Sequence, residues 1–288
     1  MSRMTLLLPG SYMNFREIED DMREEYLAAK ETGLFRTVLF NYDEWLAGDK
    51  LKIRTDESVT NPVIYRGWML KPNEYEKFYS DLESQGIRLL TSPEEYQNLH
   101  LFPNVYPDIR EDTAGMMIFE SGDVDVETVK RTFSRFMVKD SVKSVKGTEF
   151  PAFFDRNVTQ QGFDEWMQVF YKYRGDLLTG GICIKEYLDL KRCDGKTNEF
   201  RVFYANHEII SLSRNSGQPG YTRMPPEQLI NKYSGLKSLY YTIDYAELTD
   251  GTWKIIEAGD GGVSGLSPGQ DAAAYYRALY QAVKDMKI

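Results

Sequence analysis

The stretch "TIDYAELTDGTWKIIEAGDG", residues 242–261, decides the fold because it reads as two strands joined by a tight turn. Strand-forming residues flank Asp250-Gly251, a dipeptide that favours a two-residue type I′ turn. Counting back from that turn predicts that Asp244 lies directly opposite Glu257, with the two Cβ atoms about 5 Å apart. Two carboxylates in that position repel each other unless they share a proton or a cation.

A third carboxylate follows the hairpin on backbone rich in glycine. Asp260 stands three residues after Glu257, between Gly259 and Gly261. Because glycine adopts backbone conformations closed to other residues, we predict that the chain turns Asp260 back toward Asp244 and Glu257. Three carboxylates would form an all-oxygen site for a hard divalent cation. The alternative is a set of solvated acids at the end of a strand.

The composition narrows the chemistry. The chain has 288 residues, 42% of them hydrophobic, which predicts a globular protein, with two domains as our expectation. Two histidines and two cysteines are too few for a zinc cluster or a disulfide framework, so a bound metal is expected to have oxygen ligands, as magnesium does. The first residues show neither a membrane-spanning apolar run nor a signal-peptide pattern. We therefore expect a cytoplasmic protein without a membrane partner.

The chain is acidic overall but contains one basic stretch. A net charge of -9 disfavours a broad nucleic-acid-binding surface. Within residues 129–147 the cationic residues outnumber a single acid, Asp140. They are Lys130, Arg131, Arg135, Lys139, Lys143 and Lys146. A basic stretch in an acidic chain suits a small polyanion, and the alternative is a solvated charged face.

The first 130 residues alternate strands with helices, which is typical of an α/β domain. Apolar runs predict strands over residues 4–9, 35–40, 61–70 and 87–90. Helical periodicity predicts helices over residues 15–30 and 72–86. The pattern then changes to antiparallel hairpins, so we place a soft domain boundary near residue 130.

A second hairpin, within residues 198–215, gathers charges far from its turn. If Asn206 and His207 form a two-residue loop, Glu199 faces Arg214, and Arg201 shares that face. The alternative is an ordinary cross-strand ion pair, worth a few tenths of a kcal/mol.

Lys185 and Glu186 follow an apolar run in "ICIKEYLDL", residues 182–190. A lysine on a buried strand needs a partner, which a bound ligand can supply. The alternative is that both side chains point to solvent at the end of the strand. Farther along, Ser267 and Gln270 predict the N-cap and capping box of the last helix.

Four motifs stand in the order found in the ATP-grasp superfamily. They are "FMVKDSVKS" (136–144), "ICIKEYLDL" (182–190), "NEFRVF" (198–203) and the hairpin quoted first. The chain resembles that superfamily over about residues 133–270. "VIYRGWML" (63–70), with Arg66, and "EAGDGGVSGL" (257–266) resemble a subgroup marked by one N-terminal-domain arginine and two lysines, often found in bacteriophages and bacteria.

The resemblance implies an α+β protein with the ATP-grasp fold. Two α+β subdomains with antiparallel sheets would clamp ATP within residues 131–288, preceded by a smaller α/β pre-ATP-grasp domain over residues 1–130. The implied activity is ligation of a carboxylate to an amine through an acyl phosphate, with release of ADP and phosphate. The implied substrates are a carboxylate and an amine, with a peptide or a protein as one alternative.

The resemblance also implies roles for individual residues. Those that would bind ATP are Lys139, Lys143, Lys185, Glu186, Tyr187, Leu188, Asp189 and Glu199, with Asp189 or Glu199 on the ribose. Those that would hold Mg²⁺, with Mn²⁺ as an alternative, are Asp244, Glu257 and Asp260. Those that would face the transferred phosphoryl group and the substrate are Arg201, Arg214 and Arg66. The usual Glu-x-Asn ending is Glu-Ala-Gly here, so the third metal ligand must be Asp260 or be absent.

Two other classes of function stay open at this point. Nucleotidyltransferases, including nucleic-acid ligases, use a lysine in a Lys-x-Asp-Gly setting, and "KRCDG" (191–195) is one residue longer. A non-catalytic nucleotide-binding protein could keep the fold without the chemistry. The joint presence of Lys139, Asp244 and Glu257 argues against that second alternative.

Overall fold

The computed structural model describes residues 3–54 and 58–286. The α-helices are α1 Arg23–Glu31, α2 Tyr42–Leu46, α3 Pro72–Glu83, α4 Pro93–His100, α5 Phe102–Ile109, α6 Val126–Thr132, α7 Gln160–Arg174, α8 Glu227–Lys232 and α9 Ala272–Val283. The strands are β1 Met4–Pro9, β2 Phe35–Phe40, β3 Ile53–Arg54, β4 Val63–Tyr65, β5 Met116–Phe119, β6 Arg135–Asp140, β7 Phe154–Asp155, β8 Ile182–Glu186, β9 Arg192–Cys193, β10 Lys196–Thr197, β11 Glu199–Ala205, β12 Glu208–Arg214, β13 Tyr240–Glu247 and β14 Trp253–Asp260. No helix within those two ranges is long and apolar enough to cross a membrane.

The N-terminal sheet has the order β3-β2-β1-β4, with β1 parallel to both β2 and β4. The predicted strands at 4–9 and 35–40 are confirmed. The strand predicted over 61–70 is limited to β4, and 87–90 contributes only an isolated bridge from Leu89 to Val63. The helix predicted from residue 15 begins at Arg23, because the preceding chain closes a loop through a bridge between Gly10 and Ile18.

A second sheet is antiparallel in the order β5-β8-β6-β7. One face packs on α6 and α7 through Phe136, Val138 and Ile184. The opposite face carries the two lysines that the sequence singled out. Strand β5 belongs to this sheet although it precedes residue 130, where the sequence predicted a soft domain boundary. That boundary remains a prediction.

The third sheet, β12-β11-β13-β14, is antiparallel and joins the two halves of the chain. One of its faces packs on α5 and α8. Phe203, Ala205 and Tyr240 on the other face pack with residues of β1 and α9. The third sheet and the C-terminal helix are therefore packed directly against the N-terminal sheet.

The β13–β14 hairpin reaches the predicted pairing by an unexpected route. The type I′ turn is wrong: Asp250 has no positive φ, Gly251 does (85°), and the Leu248 N–H donates to the Thr252 carbonyl, which closes a three-residue loop. That loop shifts the register by one residue. A β-bulge at Ile256 shifts it back, so Asp244 does pair with Glu257.

The β11–β12 hairpin turns where predicted but has a different register. Asn206 and His207 both have positive φ (50° and 65°), as a two-residue type I′ turn requires. A bulge beside Tyr204 then places Arg214 opposite Phe200. The predicted pairing of Arg214 with Glu199 is therefore wrong, because a one-residue slip moves a side chain to the other face.

The last helix begins later than predicted. Asp271 caps α9 by accepting a hydrogen bond from the Ala274 N–H at 2.8 Å. Ser267 and Gln270 bond to each other in a turn before the helix, where the Ser267 N–H donates to Gln270 Oε1 at 3.0 Å. The predicted contact between Ser267 and Gln270 is therefore present, but it lies in the turn before the helix rather than in the helix cap.

Candidate active site

Two buried lysines project from one face of the second sheet. Lys139 on β6 pairs with Cys183, and Lys185 on β8 pairs with Met137, so the lysines are diagonal neighbours on one face. They are 8% and 5% exposed. Their Nζ atoms lie 4.7 and 4.1 Å from the centre of the Phe102 ring on α5. Phe102 carried no sequence signal that distinguished it from a core residue.

Lys185 connects the second sheet to the third. Its Nζ donates to the carbonyl of Ile256, the bulged residue of β14, at 2.8 Å. The preceding residue, Ile255, bonds elsewhere too: its N–H donates to the Asp112 carbonyl, and its carbonyl accepts from the Thr113 hydroxyl. The bulge therefore exposes backbone groups of β14 to partners outside the sheet and brings Lys185 next to Glu257.

Burial is the main influence on the charge of both lysines. It lowers the pKa of Lys185 to about 7, with a further lowering by Lys139, whereas Glu257 acts in the opposite direction. It also lowers the pKa of Lys139, again against the charge of Glu257. Glu257 itself is exposed. A site with two buried cations and one accessible carboxylate is arranged for a charged ligand.

Lys146 contributes to this site electrostatically, and the binding role predicted for Lys143 stays a prediction. The positive charge of Lys146 lowers the pKa of both buried lysines. Burial lowers the pKa of His100 to about 4, and the positive charges of Lys143 and Lys139 lower it further. Both lysines lie in the basic stretch of the sequence, and its composition alone could not rank them.

Asp244 forms a buried ion pair with Arg201 across β13 and β11. Arg201 Nε and Nη2 donate to the two carboxylate oxygens at 2.8 and 2.7 Å, and Arg201 Nη1 donates to the Gly265 carbonyl. Asn215 donates to Asp244 from the side at 3.1 Å. Burial raises the pKa of Asp244 despite Arg201, and the charges of Glu257 and Glu199 raise it further. Asn215 was missed because it follows a strand as an ordinary turn residue.

Asp260 does not join Asp244 and Glu257. Strand β14 continues to Asp260, three residues beyond Glu257, so the two side chains lie on opposite faces. Asp260 is 1% exposed, accepts from the Gly262 N–H at 2.8 Å, and has a pKa raised to about 7, chiefly by burial. Over the ranges that the structure describes, no three Asp, Glu, His or Cys side chains are grouped to hold a metal. The predicted three-carboxylate site is therefore wrong, and Asp244 with Glu257 remains as a candidate pair.

Arg66 is a structural anchor in this structure rather than an open substrate contact. It is 2% exposed, and its Nη2 atom lies 2.6 Å from Glu25 on α1. Its Nη1 atom donates to the carbonyls of Gly261 and Ser264, in the loop after β14. Because Glu25 and these carbonyls engage the guanidinium, the predicted substrate-facing position is wrong.

Arg214 also lies away from the candidate site. The bulge in its hairpin places its guanidinium over the ring of Phe200, 5.5 Å from the ring centre. It donates to the carbonyls of Pro219 and Gly220. The predicted placement beside Arg201 is therefore wrong.

The residues predicted to bind the adenine and ribose, 186–189, lie at the end of β8 and just after it. The Glu186 N–H donates to the Gly115 carbonyl at 2.8 Å, and the Tyr187 N–H donates to the Arg135 carbonyl at 3.0 Å. Asp189 is exposed and forms an ion pair with Arg135. Leu188, between them, is half-buried. The binding roles predicted for these residues stay predictions.

A family model for an ATP-grasp domain, family 3 of the R-two-K clade, matches residues 109–279, more than half of the chain. The chain belongs to this ATP-grasp family. No curated protein sequence matches it significantly. The bacteriophage origin suggested by the sequence stays a prediction.

Solved ATP-grasp structures share the fold over nearly their whole length. D-cycloserine synthetase DcsG is 14% identical with a TM-score of 0.61, over 96% of this chain and 99% of that one. D-alanyl-alanine synthetase A from Vibrio cholerae is 13% identical with a TM-score of 0.57, over 99% and 100%. The ligase PsnB, complexed with its minimal precursor, is 10% identical with a TM-score of 0.59, over 97% and 98%. These likenesses confirm the predicted ATP-grasp fold, and at such identities they show the fold alone.

Proposed function

We propose that this ATP-grasp protein is an ATP-dependent ligase that joins a carboxylate to an amine through an acyl phosphate. The observation that carries the proposal is that buried lysine side chains and a pair of carboxylates lie close together. Buried Lys139 and Lys185 from the second sheet face the accessible carboxylate of Glu257 on the third, which pairs with Asp244. A nucleoside triphosphate and its cation would lie between the lysines and the carboxylates.

The buried lysines are the reason to place ATP here. Neither forms a salt bridge with a described carboxylate, and the close partners of Lys185 among the described residues are the Ile256 carbonyl and the Phe102 ring. A buried ammonium without an anion is unfavourable, so phosphate oxygens would satisfy both groups. Residues 186–188 would then adjoin the adenine, and Glu199 or Asp189 would bind the ribose.

Asp244 and Glu257 fit a hard divalent cation. Their oxygens are the ligand type that Mg²⁺ prefers, and Glu257 is exposed. Arg201 holds Asp244 in a fixed orientation by two hydrogen bonds. Magnesium, with manganese as an alternative, would supply positive charge to the phosphate oxygens there.

The chemistry follows from the poor reactivity of carboxylates. A carboxylate oxygen would attack the γ-phosphorus of ATP, and the bond to the β-phosphate oxygen would break to give an acyl phosphate and ADP. An amine would then attack the acyl carbon and expel phosphate, losing its extra proton. The chain contributes positioning and positive charge from Lys139, Lys185 and Arg201.

The structural neighbours favour small or peptide substrates within this proposal. Two are synthetases named for D-cycloserine and D-alanyl-alanine, and PsnB is a ligase complexed with a precursor. Each of these descriptions belongs to the neighbour. We therefore propose amino acids or a peptide as substrates for this chain.

The nucleotide products test the reaction class. The protein would be incubated with ATP, magnesium and pooled carboxylates and amines, and the products separated by chromatography. ADP and phosphate that require both pools are the expected result. AMP and pyrophosphate, or a lysine adenylate detected by mass spectrometry, would instead support nucleotidyl transfer.

ATP binding at pH 8 is expected to take up nearly one proton. Lys185, with a pKa of about 7, is mostly neutral at that pH, and adjacent phosphate charge would restore its proton. Calorimetric titrations in two buffers of different ionisation enthalpy measure this uptake. Equal binding enthalpies in both buffers would exclude it.

Lys185→Met is expected to stabilise the free protein at pH 7 while weakening ATP binding by about tenfold or more. Burial lowers the folded-state pKa to about 7 from 10.5, so the cost of the buried charge is complete below pH 7 and fades as pH rises toward 10.5. Urea unfolding of both proteins at pH 7 and pH 10 should show the difference shrinking. A variant less stable at pH 7 would contradict this.

A further inference from the structure

A cavity of about 480 Å³ lies beside the N-terminal sheet, between α1 and the strands β2 and β3. Five of its lining side chains are cationic, and none of its described lining residues is acidic. The cationic residues are Arg3, Arg16, Lys30, Arg36 and Arg54. Such a concentration of positive charge is unexpected in a chain with a net charge of -9.

Four of these cations have no carboxylate partner within the described part of the chain. Arg3, Arg16, Lys30 and Arg54 take part in none of the salt bridges there. Lys30 contacts Tyr26, whose hydroxyl lies 3.2 Å from its Nζ atom. Like charges that share a cavity repel one another, and a bound anion relieves that repulsion.

We propose that this cavity binds a small molecule that carries two or more negative charges on phosphate or carboxylate groups. Its volume lies within the range of about 300–1,000 Å³ typical of small-molecule sites. Arginine guanidinium groups suit both kinds of anion because they offer paired N–H donors. A local cluster of five cations on an acidic protein does not fit a nucleic acid, which requires an extended basic surface.

The cavity is separate from the proposed ATP site. Lys139 and Lys185 lie on the second sheet, whereas Arg54 lies on β3, at one edge of the N-terminal sheet. The opposite edge of that sheet is β4, directly before Arg66 and its contacts with the loop after β14. Anion binding here is therefore independent of the nucleotide lysines.

The test uses inorganic pyrophosphate and citrate, titrated separately by calorimetry without divalent cations. The Arg16→Ser/Arg54→Ser variant removes two exposed cations of the cavity, and thermal melting checks that it is folded. Arg277→Ser removes an exposed cation on α9 as the matched control. Lys139→Met disables the nucleotide site.

We expect the wild type, Arg277→Ser and Lys139→Met to bind at least one probe at the cavity, and the double variant to bind it about tenfold more weakly or worse. Pyrophosphate alone would indicate a phosphate ligand, and citrate alone a carboxylate ligand. Loss of all binding in Lys139→Met with retention in the double variant would overturn the proposal. So would the absence of binding of both probes to the wild type.

Discussion

Glu257→Gln is expected to reduce ATP turnover by about 10²–10³-fold while leaving the fold intact. Glu257 is exposed and pairs with buried Asp244, so its substitution removes the proposed metal ligand without opening a cavity. Turnover and thermal melting of the variant would be measured over a range of magnesium concentrations. The matched control is Glu208→Gln, which changes an exposed glutamate on β12 of the same sheet.

The magnesium dependence shows whether Glu257 is a metal ligand. If Glu257 binds the cation, the variant should need more magnesium for half-maximal turnover, and the control should not. Unchanged turnover and magnesium dependence in Glu257→Gln would remove the carboxylate pair from the proposed site.

Arg66→Met is expected to lower the free energy of unfolding by about 3–5 kcal/mol. The substitution leaves the largely buried carboxylate of Glu25 without its cation. It also removes the hydrogen bonds that the Gly261 and Ser264 carbonyls accept. Urea unfolding measures the loss. Arg23→Met, which removes an exposed arginine that pairs with Asp20 on the surface, should leave the same free energy nearly unchanged.

A second variant separates the ion pair from the arginine. Glu25→Leu/Arg66→Met should recover part of the lost stability, because no buried charge is left unpaired. If Arg66→Met were as stable as the wild type and lost only turnover, Arg66 would be a substrate contact, as the sequence resemblance implied.

The sequence predicted the paired carboxylates but not the backbone that pairs them. Two features offset each other in the β13–β14 hairpin: the loop is one residue longer than the Asp250-Gly251 dipeptide suggests, and the bulge at Ile256 compensates. The β11–β12 hairpin has a bulge but no compensating change in its loop, so the register predicted for Arg214 is wrong. Bulges are set by packing and twist, which no local residue pattern reveals.

Buried lysines were predictable, whereas long-range partners were not. Lys139 and Lys185 are conspicuous because each stands in an apolar strand pattern where a charge is costly. Arg66 looked equally conspicuous, but its partner Glu25 lies on a helix 41 residues earlier in the chain. The prediction for Asp260 failed because β14 continues through Gly259, where the chain was expected to bend, and ends at Asp260 itself.

Oxygen-18 transfer from substrate carboxylates to phosphate tests the acyl-phosphate step most directly. Carboxylate substrates labelled in both oxygens would be incubated with the protein, ATP, magnesium and amines, and the released phosphate and nucleotide analysed by mass spectrometry. Phosphate that carries one labelled oxygen, formed together with unlabelled ADP, is the predicted result. Label in AMP, or phosphate that carries none, would contradict the proposed ligase reaction.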